Sequence, residues 1–374
     1  MIKITHVITD SNIGGAGILL CNLFSSIDRR AFDFKVILPR GAALTPLLRS
    51  LAIPTLEADI APECSFSFKD FFVFRRLLSG SPPDILHTHG SFSARLAGRS
   101  LSIFRCILTR HCDTPIKTPT FIYNMSADFT VCTSMPLYRH MLSYGVPKEK
   151  LRFIVNGARA CANISEQRKK ELCAYFKIPK GAKVIGIVGR LEKIKGQDVF
   201  LKAAREVLKV RRDCIFMLVG DGGERQRLEA LAQGLGISDL VRFCGHRQNA
   251  DEIMNLFDIA VNSSLGSETS SLAVSEALSL KIPVVASDIE GNRCLLREAK
   301  KASAASFHNN SCTLLFKCGD SSSLASVLLS LLENEKKRSI IGENGFALYK
   351  KELTASVMAK KYEDLYRELG ERSF

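Results

Sequence analysis

The twelve cysteines of this 374-residue chain include no Cys-x-x-Cys pair, and their spacings follow no ligand pattern. A zinc ribbon and a disulfide scaffold are therefore poor readings. Unpaired cysteines in that number suit a reducing cytoplasm, where they serve as small apolar side chains. No apolar run is long enough to span a bilayer, because Lys, Arg, Asp or Glu interrupts each one. The opening MIKITHVITDSNIGGAG lacks the order of a secretory leader and reads as a strand entering a Gly-rich turn. There is no Asp-x-Asp, so a metal held by paired carboxylates is not indicated. There is no Gly-x-Gly-x-x-Gly either. Gly15 and Gly17 fill the first two places, but Leu20 takes the third, and Leu38-Pro39-Arg40 stands where an acid should end the second strand. A dinucleotide-binding dehydrogenase is disfavoured on both counts. The chain also lacks the aromatic, zinc-finger and recognition-helix signatures of nucleic-acid binding.

What is present is a chain with 46% hydrophobic residues, enough to bury a core. At about 150 residues per domain its length suggests two domains. The net charge is +14, with +8 in residues 1–160 and +6 in the rest, so the excess lies on folded surfaces and not in a tail. The stretch 66–110 is densest. Lys69, Arg75, Arg76, Arg95, Arg99, Arg105 and Arg110 stand there against Asp70 and Asp84, interleaved with seven phenylalanines. An amphipathic helix with a solvated basic face accounts for most of this. A basic, partly apolar surface that docks on anionic lipid is the sharper expectation.

Short β-branched runs alternate with helical stretches. Strands are expected at 2–9, 34–38, 53–57, 85–89, 106–109, 129–133 and 153–155. After Asn156-Gly157 a polar, charged stretch over 166–183 interrupts the rhythm. It restarts with strands at 184–188, 214–219, 241–243, 259–262 and 283–286, and with helices at 195–210, 224–233, 271–280 and 321–332. An alternation that stops and restarts implies an α/β chain of two doubly wound, Rossmann-like domains facing a cleft. The boundaries are 1–157, 158–354 and a final helical segment, 355–374. Ligands in such sheets bind beyond the carboxyl ends of strands, so the residues just after strands matter most.

The glycines of Asn12-Ile-Gly14-Gly15-Ala-Gly17 allow close approach of backbone to a ligand, although a simple tight turn explains them nearly as well. In Asp84-Ile-Leu-His87-Thr-His89 the histidines share one strand face, but no evident partner completes a metal site, and a structural role is favoured. His111 stands just past another strand. Arg190 and Lys195 in Gly189-Arg190-Leu-Glu-Lys-Ile-Lys195-Gly196 bring two cations to a helix N-terminus, which suits a diphosphate. Gly220-Asp221-Gly222 closes the next strand. The fullest segment is Glu268-Thr-Ser-Ser-Leu272-Ala-Val-Ser-Glu276. An acid on its loop can hold sugar hydroxyls, the helix N-terminus can hold phosphate, and an acid inside the helix can hold ribose hydroxyls. The plain alternative is that both glutamates complement the helix dipole.

In order along the chain, these motifs resemble the retaining glycosyltransferases of the GT-B fold, family 4. The resemblance runs from the Gly-rich loop through DILHTHG, TRH, IVNG, GRLEKIKG, VGDG, FCGHR and the two glutamates to PVVASD. It implies sugar transfer from a UDP- or GDP-sugar to a glycan or lipid-linked acceptor in polysaccharide or lipopolysaccharide synthesis. The donor is a substrate, and neither cofactor nor metal is implied. It implies a catalytic pair, His111 and Glu268, on the donor sugar. Gly15, Arg190, Lys195 and Leu272 would meet the diphosphate, Glu276 the ribose and the loop at His246-Arg247 the base. The final helix, about 355–372, would return to the first domain. The enzyme would be cytoplasmic and peripheral on the inner face of the membrane. Ser270 and Ser271 replace the aromatic and glycine usual after the first glutamate, which bears on sugar choice. A 2-epimerase or phosphorylase of similar fold, and a non-catalytic sugar-nucleotide scaffold, are the rivals.

Overall fold

The computed structural model describes residues 1–62, 66–103, 105–111, 118–247, 249–266, 270–296 and 311–371. Two compact units are present. One combines Met1–Ala158 with Ala355–Phe374, and the other is Arg159–Thr354.

The strands of the first unit are β1 (Ile2–Ile8), β2 (Phe32–Pro39), β3 (Thr55–Ala58), β4 (Ile85–His89), β5 (Cys106–Arg110), β6 (Phe129–Cys132) and β7 (Leu151–Phe153). They form one sheet in the order β3-β2-β1-β4-β5-β6-β7, with every pairing parallel. β1 and β4 read as continuous apolar or buried runs because helices cover both faces. The helix Ala355–Glu371 is part of this unit. Met358, Ala359, Tyr362, Leu365, Tyr366 and Leu369 recur at helical spacing and join the core built by Ile4, Phe24, Phe32 and Phe129.

The second unit holds β8 (Lys183–Val188), β9 (Cys214–Val219), β10 (Val241–Gly245), β11 (Ile259–Asn262), β12 (Val284–Ser287) and β13 (Leu314–Phe316). Their order is β10-β9-β8-β11-β12-β13, again all parallel. In both sheets the chain order reverses at one place, between β1 and β4 and between β8 and β11. There the loops diverge to opposite faces and leave a crevice at the carboxyl ends.

Three sequence expectations need correction. The charged stretch after residue 157 contains a helix, Glu166–Tyr175, capped by Ser165 Oγ, which accepts from the Arg168 N–H at 3.1 Å. Of its own residues only Leu172 is buried. It is pinned by the Arg168–Glu252 ion pair at 2.8 Å, so no apolar stripe announces it. The strand expected at 153–155 lies at Leu151–Phe153, where Leu151 pairs with Thr130. β13 went unread because three apolar residues carry no periodicity.

The basic stretch 66–110 is also less of a surface than its composition implies. Arg95 is buried and donates to Ser126 Oγ, the Gly90 carbonyl and the Ser91 carbonyl. Arg99 pairs with Asp128 at 3.0 Å, and Phe74 is fully buried in the helix Phe68–Gly80. Phe104 lies outside the described residues.

Candidate active site

At the reversal between β8 and β11 the backbone is bent to unusual closeness. Gly196 has φ +65°, and a Cβ there would stand 2.2 Å from the Ser263 carbonyl oxygen. Ser263 Oγ donates to the carbonyls of Lys195 and Gly196, each at 2.9 Å, and fixes the turn. Lys195 ends a short 3-10 turn, Lys193–Lys195, ahead of the helix Gln197–Val210. The sequence reading places it at the start of that helix. Between β8 and β11 lies a small cavity whose lining includes Gly189, Lys195, Gln197, Asn262, Ser264 and Ser271.

Ser271 caps the next helix, Leu272–Ser279, its Oγ accepting from the Val274 N–H at 3.4 Å. Leu272 is the first helical residue, so the first-turn N–H groups point away from the helix body without an intrahelical acceptor. Beside it the Ser270 hydroxyl is buried with no hydrogen-bond partner. Among the described residues these are donors in search of an acceptor, next to a lysine and a positive helix end.

Glu276 lies one turn further along the helix. Burial, and then the charge of Asp251, push its carboxyl up to about 7. No hydrogen bond or ion pair to its carboxylate is present among the described residues. A half-buried carboxylate that has given up part of its water without gaining a donor is costly, and it is suited to receive a pair of ligand hydroxyls.

The other sequence candidates fall differently. Arg190 is on the same loop as Lys195, but its guanidinium pairs with Glu192 at 2.9 Å, its side chain is 67% exposed, and it does not line the cavity. Of the two cations, Lys195 lines the cavity and Arg190 is engaged with Glu192. Arg247 follows β10. Its guanidinium donates to the Cys244 carbonyl at 2.8 Å and to Tyr175 Oη at 3.0 Å, so the side chain braces the Glu166–Tyr175 helix. Glu268 lies outside the described residues.

In the first unit, Gly15 opens the helix Gly15–Phe24 after β1, and open space surrounds the position a Cβ would take. His111 follows β5, and its Nε2 lies 2.9 Å from His89 Nδ1. Burial pushes the His111 imidazole down to about 4. His87 and His89 share one face, as alternation implies, and their rings stack. The sequence reading found no partner for them, yet β1 supplies one. His6 pairs in register with His87, and the nitrogens of His6, His87 and His89 lie within 4.8 Å of one another. His6 was missed because its pairing with His87 depends on β1 lying beside β4, which the sequence does not state. Tyr366 and Thr109, which bond to this cluster, and Tyr362, which bonds to Thr109, were missed because the two tyrosines stand on a helix 253 to 360 residues away in the chain.

Comparison with known proteins accords with this arrangement. The family model of Glycosyl transferases group 1 matches residues 168–347, and that of Glycosyltransferase Family 4 matches residues 13–160. The UDP-Gal:alpha-D-GlcNAc-diphosphoundecaprenol alpha-1,3-galactosyltransferase of Escherichia coli is 26% identical over 321 residues, covering 79% of this chain and 82% of that protein. The lipopolysaccharide core biosynthesis glycosyltransferase LpsD of Rhizobium meliloti is 24% identical over 365 residues, covering 97% and 98%. In fold, the chain is similar to Anabaena Alr3699/HepE, solved with UDP, at a TM-score of 0.81 and 19% identity over 98% of this chain and 100% of that one. With a group 1 model over the second sheet, a family 4 model over the first, and two doubly wound parallel sheets of the GT-B type, the chain belongs to the family 4, group 1 glycosyltransferases.

Proposed function

We propose that this glycosyltransferase takes a uridine diphosphate sugar as donor and builds a lipid-linked or lipopolysaccharide-type envelope glycan with retention of configuration. The observation that carries the donor half is the unsatisfied Glu276 carboxylate one turn beyond an open helix N-terminus. Ribose hydroxyls donate to Glu276. The first-turn N–H groups near Leu272, the Ser270 hydroxyl and Lys195 meet the diphosphate. UDP is favoured because HepE was solved with it and the Escherichia coli relative is named for UDP-Gal. The envelope acceptor is favoured by the names of the Escherichia coli and Rhizobium relatives.

As the sugar–phosphate bond breaks, negative charge collects on the departing diphosphate. Lys195 and the helix N-terminus oppose it without reorganising, and this kind of stabilisation contributes most when the charge is fullest. No resident metal is needed for that step. Glu268 and His111 contact the donor sugar, and Arg190 exchanges Glu192 for phosphate when donor binds.

Titration calorimetry with UDP and GDP tests the donor, first on the wild type and then on Glu276→Ala. UDP is expected to bind, to bind more tightly than GDP, and to weaken at least tenfold in the variant. Absence of binding by any nucleoside diphosphate would refute the reading. Release of UDP from UDP-galactose or UDP-glucose, in the presence of a GlcNAc-diphospholipid, tests the acceptor class.

A further inference from the structure

The strand β11 ends in a buried polar residue. Ile259 and Val261 belong to the core of the second unit, and alternation turns Ala260 and Asn262 to the other face of the sheet. There Asn262 lines the small cavity between β8 and β11, together with Lys195, Gln197 and Ser271. The residue is more than nine-tenths buried, at 8% exposed. The Ser264 backbone N–H donates to Asn262 Oδ1 at 3.2 Å, and Asn292 Nδ2 approaches the same oxygen at 3.5 Å. A backbone N–H can only donate, so the amide oxygen must face Ser264 and the amide cannot be turned over. Nδ2 is the end that remains. It donates to nothing among the described residues, although Asn262 stands on the cavity wall.

Asn292 shows that this orientation is held against a cost. It is fully buried on the helix Glu290–Leu295. Its Nδ2 lies 3.0 Å from the Ser287 carbonyl and 3.1 Å from Ser287 Oγ, besides its approach to Asn262. Ser287 Oγ in turn donates to the Ser264 carbonyl at 2.6 Å, so the residue that donates to Asn262 is itself fixed. Asn292 Oδ1 is left enclosed with no partner. Apolar side chains would fill the places of Asn262 and Asn292 without that loss.

We propose that Asn262 is a binding residue for the donor diphosphate, its Nδ2 donating to a phosphate oxygen in the cavity. The cavity is small, so it takes the edge of a ligand, and an ionised phosphate oxygen is an edge that only accepts. Lys195 supplies charge there, and Asn262 supplies direction. Because Ser264 and Asn292 hold the amide, it does not reorganise as the diphosphate departs. Asn292 is a positioning residue, acting through Asn262. The unpartnered Ser270 hydroxyl and the N-terminus of the helix Leu272–Ser279 stand beside the same space. The identity of the ligand rests on the nucleoside diphosphate reading above.

Asn262→Asp tests the assignment. It keeps the oxygen that accepts from Ser264 and replaces the donor by a negative charge of nearly the same shape. UDP binding is measured by calorimetry. Uridine, which carries base and ribose without phosphate, is titrated by its own NMR signals. In the variant UDP is expected to weaken by about a hundredfold or more, with uridine within about twofold of wild type. UDP affinity within about twofold of wild type overturns the proposal. A parallel loss of uridine overturns it as well, because a merely structural residue would give that result. If the variant does not fold, wild-type protein labelled with ¹⁵N-asparagine decides, with Asn262→Gln for assignment. The Asn262 side-chain amide signals should move on addition of UDP and not of uridine, and signals that ignore UDP overturn the proposal. If the wild type binds no nucleoside diphosphate, the function proposed above fails and this assignment fails with it. UDP binding that ignores Asn262 removes the assignment alone.

Discussion

Glu276, on the helix Leu272–Ser279, and Asp251, on the helix Ala250–Met254, are two carboxylates whose charges oppose each other, with no hydrogen-bond donor on either side chain among the described residues. Burial of Glu276 comes first and the charge of Asp251 second in pushing its carboxyl from 4.5 up to about 7. Because the folded value lies above the unfolded one, the protonated form favours folding. That contribution is complete below pH 4.5 and is lost as pH rises through 7, with a magnitude of up to about 3 kcal/mol. Glu276→Gln removes the dependence. Thermal unfolding without ligand should show the variant more stable than wild type at pH 8 and no different at pH 4. Equal unfolding temperatures at both values would contradict this account.

The same shift predicts a proton count on binding. Hydroxyl donors favour the ionised carboxylate, so a nucleoside diphosphate that reaches Glu276 lowers its pKa again. At pH 6.5 binding should release a substantial fraction of one proton. Calorimetry in two buffers of different ionisation enthalpy measures it, and Glu276→Gln should abolish the difference. A buffer-independent enthalpy in wild type would place the ribose elsewhere.

Lys195 and Arg190 should not be equivalent. Lys195 lines the cavity between β8 and β11, whereas Arg190 is mostly exposed and held by Glu192. A contact made most strongly with the departing diphosphate contributes roughly 2–4 kcal/mol, so Lys195→Ala should cost on the order of a hundredfold in kcat. Arg190→Ala should cost several-fold less, because the wild-type arginine does not line the cavity. The reverse ranking would show that Arg190 swings onto the phosphate and carries the larger share.

The sequence exposed the strands and the loops after them because a parallel sheet buried on both faces writes itself as short apolar runs. The segments that carry Lys195, Leu272 and Glu276 could be placed for the same reason, since each follows such a run. The helix Glu166–Tyr175 was not, because a polar surface helix held by ion pairs has no apolar stripe to read. The engagement of Arg190 with Glu192, of Arg247 with Tyr175 and of Arg95 with backbone carbonyls was equally hidden. Composition counts a cation without saying what it touches. His6 became visible only through its register with His87, which strand order decides.

Gly196 offers a test of the backbone that shapes the cavity. Its φ of +65° already disfavours a side chain, and a Cβ would meet the Ser263 carbonyl at 2.2 Å. Gly196→Ala combines left-handed strain with displacement of β11's end, together about 3 kcal/mol or more. The unfolding temperature should fall by several degrees, and nucleotide binding should weaken even where the fold survives. An unfolding temperature within a degree of wild type would mean the turn is softer than its geometry implies.

The helix Phe68–Gly80 carries the last expectation, attachment to a membrane surface. No helix among the described residues is long and apolar enough to cross a bilayer. Phe68 and Phe72 are 74% and 64% exposed, and Arg75 and Arg76 are exposed as well. Spaced at i, i+4, i+7 and i+8, all four fall on one side of the helix. Phe74 faces the core from the other side. Lys69 is drawn to Asp59 at 2.9 Å and adds little. A basic residue near an anionic surface contributes about 1 kcal/mol, screened over about 8 Å at physiological salt, and two inserted phenyl rings add apolar transfer. That sum gives reversible binding, which would suit the lipid-linked acceptor proposed above. In flotation with vesicles, the protein should bind phosphatidylglycerol-containing membranes at low salt, not phosphatidylcholine alone, and should detach at high salt. Phe68→Ser with Phe72→Ser should abolish binding while leaving UDP affinity unchanged, and Arg75→Glu with Arg76→Glu should weaken it. If the wild type fails to bind anionic vesicles at low salt, the stripe is a solvated surface, and the acceptor must reach the enzyme without it.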